Sequence, residues 1–215
     1  MIYLAAPTVQ RIAVTELGPR TRERFGAELR RAGVFAQLCL LGAQACIDTV
    51  PRRGSLGMLW ASGHGAVGAA RAALLEAARG EPVMPFTLIG TLPHLAATLL
   101  AQRSVPLARA AFVHIQPESW PWLLAIAQSW LAGCEQVLVG WVEEAPEKKG
   151  MHQSDWCVLQ KEPGDLSCEP LREPRGALPA TSADWLARVA AWTAAPRDPL
   201  ALRGGGEAWR FAAGR

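Results

Sequence analysis

Lysine is scarce in this chain: Lys148, Lys149 and Lys161 are the only three, against 19 arginines, in 215 residues with a net charge of +3. The basic residues form no block and do not alternate with aromatics, so a nucleic-acid surface is not expected. None of the five cysteines (Cys39, Cys46, Cys134, Cys157, Cys168) makes a Cys-x-x-Cys pair. Neither they nor the four histidines show the spacing of a metal site, so no metal and no cofactor is expected. An odd set of cysteines fits a reduced, cytoplasmic protein. No apolar run reaches the roughly 20 residues of a membrane span. The opening MIYLAAPTVQR has neither a basic leader nor a long apolar stretch, and no signal peptide is expected. No internal repeat is found. Half of the residues are hydrophobic and nine are Trp, enough for one domain with a real core over 1–215.

The most ordered stretch runs from Arg109 to Glu144. Ala110 to Ile115 reads as a short buried strand, and Gln136 to Val142 as another. Between them Trp120 to Ala132 is apolar on almost every face, which predicts a helix buried all round. Ser119 is placed to cap it, Pro121 suits its first turn, and Gly133 ends it. Upstream, Met1–Leu4 and Arg11–Val14 read as short edge strands, Pro19–Arg31 as a charged helix and Val34–Cys46 as an apolar one. Cys39 and Cys46 lie seven apart on that helix and read as small core residues. Gly80 to Pro93, bounded by prolines, reads as a lining loop, and His94 to Gln102 as a small-residue helix. Downstream come strands at Asp155–Lys161 and Ser167–Leu171, a proline-rich linker at Glu173–Ala180 and a helix at Ser182–Thr193 capped by Thr181 or Ser182. A glycine turn, Gly204–Gly206, precedes a last strand at Glu207–Ala212.

Ser55 to Ala61 is a strand, and Gly63, Gly65 and Gly68 then lead into a helix at Ala66–Arg79. That is formally the dinucleotide fingerprint. The reading fails further along the chain: the acidic residue that should end a second strand about 20 positions on is absent, and Glu81-Pro82 begins a loop instead. His64 reads as a loop histidine.

The order of these pieces resembles the N-terminal half of the β-ketoacyl synthases, which have the thiolase fold. Arg53 to Gly57, followed by Ala61 to Gly65, looks like that family's first strand and glycine turn. Pro85-Phe86-Thr87 through Pro93-His94-Leu95-Ala96-Ala97 looks like its Pro-Phe segment. Val105-Pro106 stands where the family has Gly-Pro, and Gly133 to Gly140 with Glu143 resembles its glycine–acid signature. The match is clearest over 30–144, leaving 145–215 as a C-terminal extension. More narrowly, the chain resembles the short chain-length-factor-like proteins of aryl polyene-type pigment pathways. The resemblance implies a thiolase-like half of the α/β class, with a mixed, mostly parallel sheet flanked by helices.

Active synthases carry a nucleophilic cysteine at the entrance to the buried helix. Counting forward from Val105-Pro106, that position falls on His114; counting back from Gly133, on Gln116. No cysteine stands near either. The two histidines of the family's second half also have no counterpart here, since His152 sits in an unlike context. Condensation needs an acylated nucleophile and a stabilised carbanion, and both parts are wanting. The resemblance therefore implies a non-catalytic, chain-length-factor-like subunit. Its partners would be an active β-ketoacyl synthase and an acyl carrier protein. Ala111, Phe112, Val113, His114 and Ile115 would form the pairing strand, and Phe86, Leu88, Ile89, Pro93 and His94 would contact substrate. Two other readings stay open. One is an acyltransferase or hydrolase using His114 with Glu118 or Ser119. The other is a stand-alone acyl-binding protein.

Overall fold

A computed structural model describes residues 2–27, 29, 32–147, 149–164, 166–172, 178–196 and 198–213. The strands are β1 (Ile2–Ala13), β2 (Leu56–Ser62), β3 (Leu107–His114), β4 (Gln136–Glu143), β5 (Met151–Gln160), β6 (Leu166–Leu171), β7 (Leu200–Gly204) and β8 (Glu207–Ala213). They form one sheet in the order β3-β2-β4-β5-β1-β6-β8-β7. The helices are α1 (Val14–Phe25), α2 (Gly33–Ile47), α3 (Val67–Ala78), α4 (Pro85–Gly90), α5 (Leu95–Arg103), α6 (Trp120–Trp130) and α7 (Trp185–Thr193).

The α/β class holds, but the sheet is mostly antiparallel. Among the described strands only β2 has parallel neighbours in the sheet, β3 and β4. The other five pairings are antiparallel. Parallel neighbours need a crossover connection, and those of the paired strands run through α3–α5 and through α6. β1 is one strand rather than two edge fragments, and it lies inside the sheet between β5 and β6. A bulge between Ala5 and Thr8, with Ala6 at φ +49, absorbs Pro7 and breaks the alternation that a strand would show in sequence.

Both faces of the sheet are covered, so β2 and β4 are apolar along their middles, with polar residues only at the ends: Ser62 of β2 and Gln136 and Glu143 of β4. Met58, Trp60, Leu138 and Trp156 pack with α2 and α5 on one side. Leu59, Val137, Val139, Trp141 and Leu159 pack with α6 and α7 on the other. Cys39 and Cys46 are fully buried in the first layer, as their spacing suggested. The C-terminal extension is part of the second layer: Trp185 of α7 stacks on Trp120 of α6 with ring centroids 4.8 Å apart.

Four local expectations change. Gly80–Pro93 is not a loop throughout, because Pro85 at the first helical position starts α4. α6 is buried on one face only; Trp120, Pro121, Leu123, Leu124 and Ala127 are covered, whereas Trp122 is 56% exposed. Ser119 stands at the N-cap of α6 without a side-chain hydrogen bond to it, and Asp184, not Ser182 or Thr181, holds the N-cap of α7. The linker reading at 173–177 lies outside the described residues. Among the described residues no helix is long and apolar enough to cross a membrane.

Candidate functional site

The C-terminal ends of β2, β3 and β4 meet at one end of the sheet, beside the N-termini of α2 and α3. β4 delivers two consecutive carboxylates there. Glu143 accepts hydrogen bonds from Ser62 Oγ (2.9 Å) and from the Gly63 N–H. It also meets His64 Nδ1 at 3.2 Å. Glu144, buried, accepts the Gly68 N–H at 2.8 Å. Ser62 Oγ in turn accepts the amides of His64 (3.2 Å) and Gly65 (2.7 Å).

This arrangement explains the glycine motif. The amides that would cradle a pyrophosphate are already occupied by two carboxylates and a hydroxyl. A Cβ on Gly68 would lie 2.7 Å from Glu144 Oε2, and one on Gly63 would lie 3.1 Å from Glu143 Oε1. The glycines let the chain's own anions approach, and no dinucleotide is required to account for them. Burial pushes the Glu144 carboxyl up from its ordinary range. The Gly68 and Phe35 amides, in the first turns of α3 and α2, oppose this, and the neighbouring Glu143 charge adds to it. Neither helix has a capping side chain of its own, so Glu144 serves both as a distant cap. Its Oε1 makes no hydrogen bond of ordinary geometry, so the Phe35 amide favours the charge without satisfying that oxygen. A pair of acids closing an apolar strand is the signal in sequence that could have found this site.

A cavity of about 600 Å³ opens beside these groups. His64, Val67, Arg71, Glu143, Met151 and Gln153 are among its lining residues.

His114, at the end of β3, lies close by, its Nε2 2.6 Å from the Gly63 carbonyl oxygen. A carbonyl only accepts, so Nε2 carries the proton and is not a base. Gln116 is exposed and precedes the short 3-10 turn Pro117–Ser119 that leads into α6. Among the described residues no hydrogen bond joins His114 to Glu118 or Ser119, so the structure does not assemble that trio. All five cysteines are buried and unpaired, and none belongs to β2, β3 or β4, although Cys39 of α2 lies near enough to Glu144 to feel its charge. Burial pushes the Cys46 and Cys168 thiols up to about 12, and raises Cys39 and Cys157 as well. No described group of three or more His, Cys, Asp or Glu is arranged to hold a metal ion.

β3 is an edge strand, paired on one side only. Ala111, Phe112 and Val113 are half-buried on it, and His114 is exposed; Ile115 follows the strand and is half-buried. Phe86, Leu88 and Ile89 point outward from α4, each at least 41% exposed. Pro93 is half-buried, and the exposed His94 meets Trp60 edge-on at 5.8 Å.

No family model and no curated protein matches the sequence. Solved structures do match. One is a ketosynthase (ApeO) in complex with its chain length factor (ApeC) from Xenorhabdus doucetiae, at TM-score 0.68 and 16% identity. The alignment covers 98% of this chain and 99% of that one, so the two are of nearly equal length. The chain has the ketosynthase fold. The ishigamide ketosynthase/chain length factor aligns at TM-score 0.56 and 12% identity, over 79% of this chain and 67% of that one. A type II polyketide ketosynthase in complex with its acyl-carrier protein aligns at TM-score 0.53 and 13% identity, over 83% and 65%. The resemblance read from the glycine turn, the Pro-Phe segment and the buried strands thus extends to the whole fold, C-terminal extension included.

Proposed function

We propose that the protein is a chain-length-factor-like subunit that pairs with an active β-ketoacyl synthase in fatty acid-like or polyene and polyketide biosynthesis. One observation carries the reading: a ketosynthase fold whose edge strand β3 is open and lined by Ala, Phe and Val, with no cysteine at its C-terminal end. An eight-residue edge strand with one side open invites another strand, because its outer amides and carbonyls are unpaired. Ala111, Phe112, Val113, His114 and Ile115 are the contact residues of that pairing. The outward residues of α4, Phe86, Leu88 and Ile89, together with Pro93 and His94, meet the partner or the growing acyl chain. An acyl carrier protein brings that chain. His114 or Gln116 occupies the position of the absent nucleophile and leaves condensation to the partner. We place the protein in the cytoplasm, where five unpaired thiols stay reduced.

Amide hydrogen exchange over 107–114, measured with and without a candidate β-ketoacyl synthase, tests the pairing. Slowed exchange in the mixture is the expected result. Unchanged exchange with every candidate would contradict the reading.

A further inference from the structure

The His64–Glu143 contact has the geometry of the basic half of a hydrolytic site. Glu143 is fixed by Ser62 Oγ and by the Gly63 amide, and its Oε2 meets His64 Nδ1 at 3.2 Å. A carboxylate accepts, so Nδ1 carries a proton, and in the neutral ring the lone pair is on Nε2. This is the opposite tautomer to that of His114. The imidazole lines the cavity of about 600 Å³, whose walls include Val67, Pro117, Pro146 and Met151. Arg71 supplies a cation on the same cavity. Among the described residues no Ser, Thr or Cys lines it, and the nearby Ser62 hydroxyl is committed to Glu143. A covalent acyl-enzyme therefore has no nucleophile here, whereas water does have a base.

We propose that His64, oriented by Glu143, acts as a general base for hydrolysis of an apolar acyl ester or thioester bound in this cavity. Water gives a proton to His64 Nε2 as its oxygen bonds to the acyl carbon. The carbonyl π pair moves to oxygen, where the Arg71 guanidinium offsets the charge. Collapse reforms the carbonyl and breaks the C–S or C–O bond. The leaving thiolate or alkoxide takes the proton back from the imidazolium, so the products are a free acid and a thiol or alcohol. Every group named belongs to this chain, so the activity does not depend on the pairing proposed for β3.

The isolated protein is assayed with p-nitrophenyl butyrate and with S-butyryl-N-acetylcysteamine. Saturable turnover above buffer is expected. His64→Ala should lower kcat roughly 100-fold, within the usual range for loss of a general base, and added imidazole should restore part of it. Val67→Trp, a change at a partly exposed site that fills the cavity, should lower kcat/KM at least about tenfold and remains informative if His64→Ala does not fold. No turnover by the unaltered protein on either substrate would overturn the proposal. So would full activity in His64→Ala or in Val67→Trp, or a loss in His64→Ala that imidazole does not restore at all.

Discussion

Trp156 is held in a slot that two glycines make. It pairs across the sheet with Gly140, and Gly42 of α2 faces it from above. A Cβ at either glycine would overlap the indole. Ser154 Oγ accepts the indole N–H at 2.9 Å and donates to the Leu38 carbonyl at 2.8 Å, so the ring cannot swing aside cheaply. Gly140→Ala should destabilise the fold by about 1–3 kcal/mol through overpacking, read from denaturant unfolding; an unchanged midpoint would show that the slot is loose. A different constraint acts at His152. Burial pushes its imidazole below the ordinary value of about 6.5, and Nδ1 accepts the Ala145 N–H at 2.8 Å. The folded state needs the neutral ring, so the unfolded chain binds the extra proton. The resulting stability is present above the unfolded pKa and is lost as pH falls through the folded one. His152→Gln, whose carbonyl can accept the same N–H, should lose less melting temperature than the unaltered protein between pH 7.5 and pH 5. Parallel pH profiles for the two would contradict this account.

At the scale of the element, β3 differs from every interior strand. β2 and β4 are covered on both faces and paired on both edges, whereas β3 has one partner and leaves Ala108, Arg109 and Ala110 exposed. Ala110→Asp places a charge on that open edge. It should abolish complex formation with a β-ketoacyl synthase while changing the stability of the isolated chain by no more than about 0.5 kcal/mol, the usual range for a surface change. Retention of the complex, measured by co-purification, would move the interface elsewhere. Elements with strong local patterns were legible in sequence: α2 and β4 stood within a residue or two of their observed bounds. β1 was not, because Pro7 and the bulge break its alternation. β7 was missed because five residues with Arg203 among them carry little pattern of their own, and pairing with β8 makes the strand. The direction of the sheet was misread because it depends on pairings between residues more than a hundred apart, such as those of β1 with β5. The site was half legible for the same reason. The glycine turn was visible, but the carboxylates that fill it come from 76 to 81 residues away.

Over the whole molecule, the C-terminal extension closes one face of the fold and leaves another open. α7 and the β6–β8 strands complete the layer around Trp120. On the other side α3 has no buried residue, and Leu74, Leu75, Met84, Phe86, Leu88 and Leu92 are all exposed. So many exposed apolar side chains, together with an open sheet edge, are uncommon on a protein that works alone. A covering partner accounts for both features at once. Native mass spectrometry of this chain co-expressed with β-ketoacyl synthases tests that claim most directly. A defined heteromer containing one or more copies of each chain is the expected result. A monomer or homodimer with every synthase tried would contradict it.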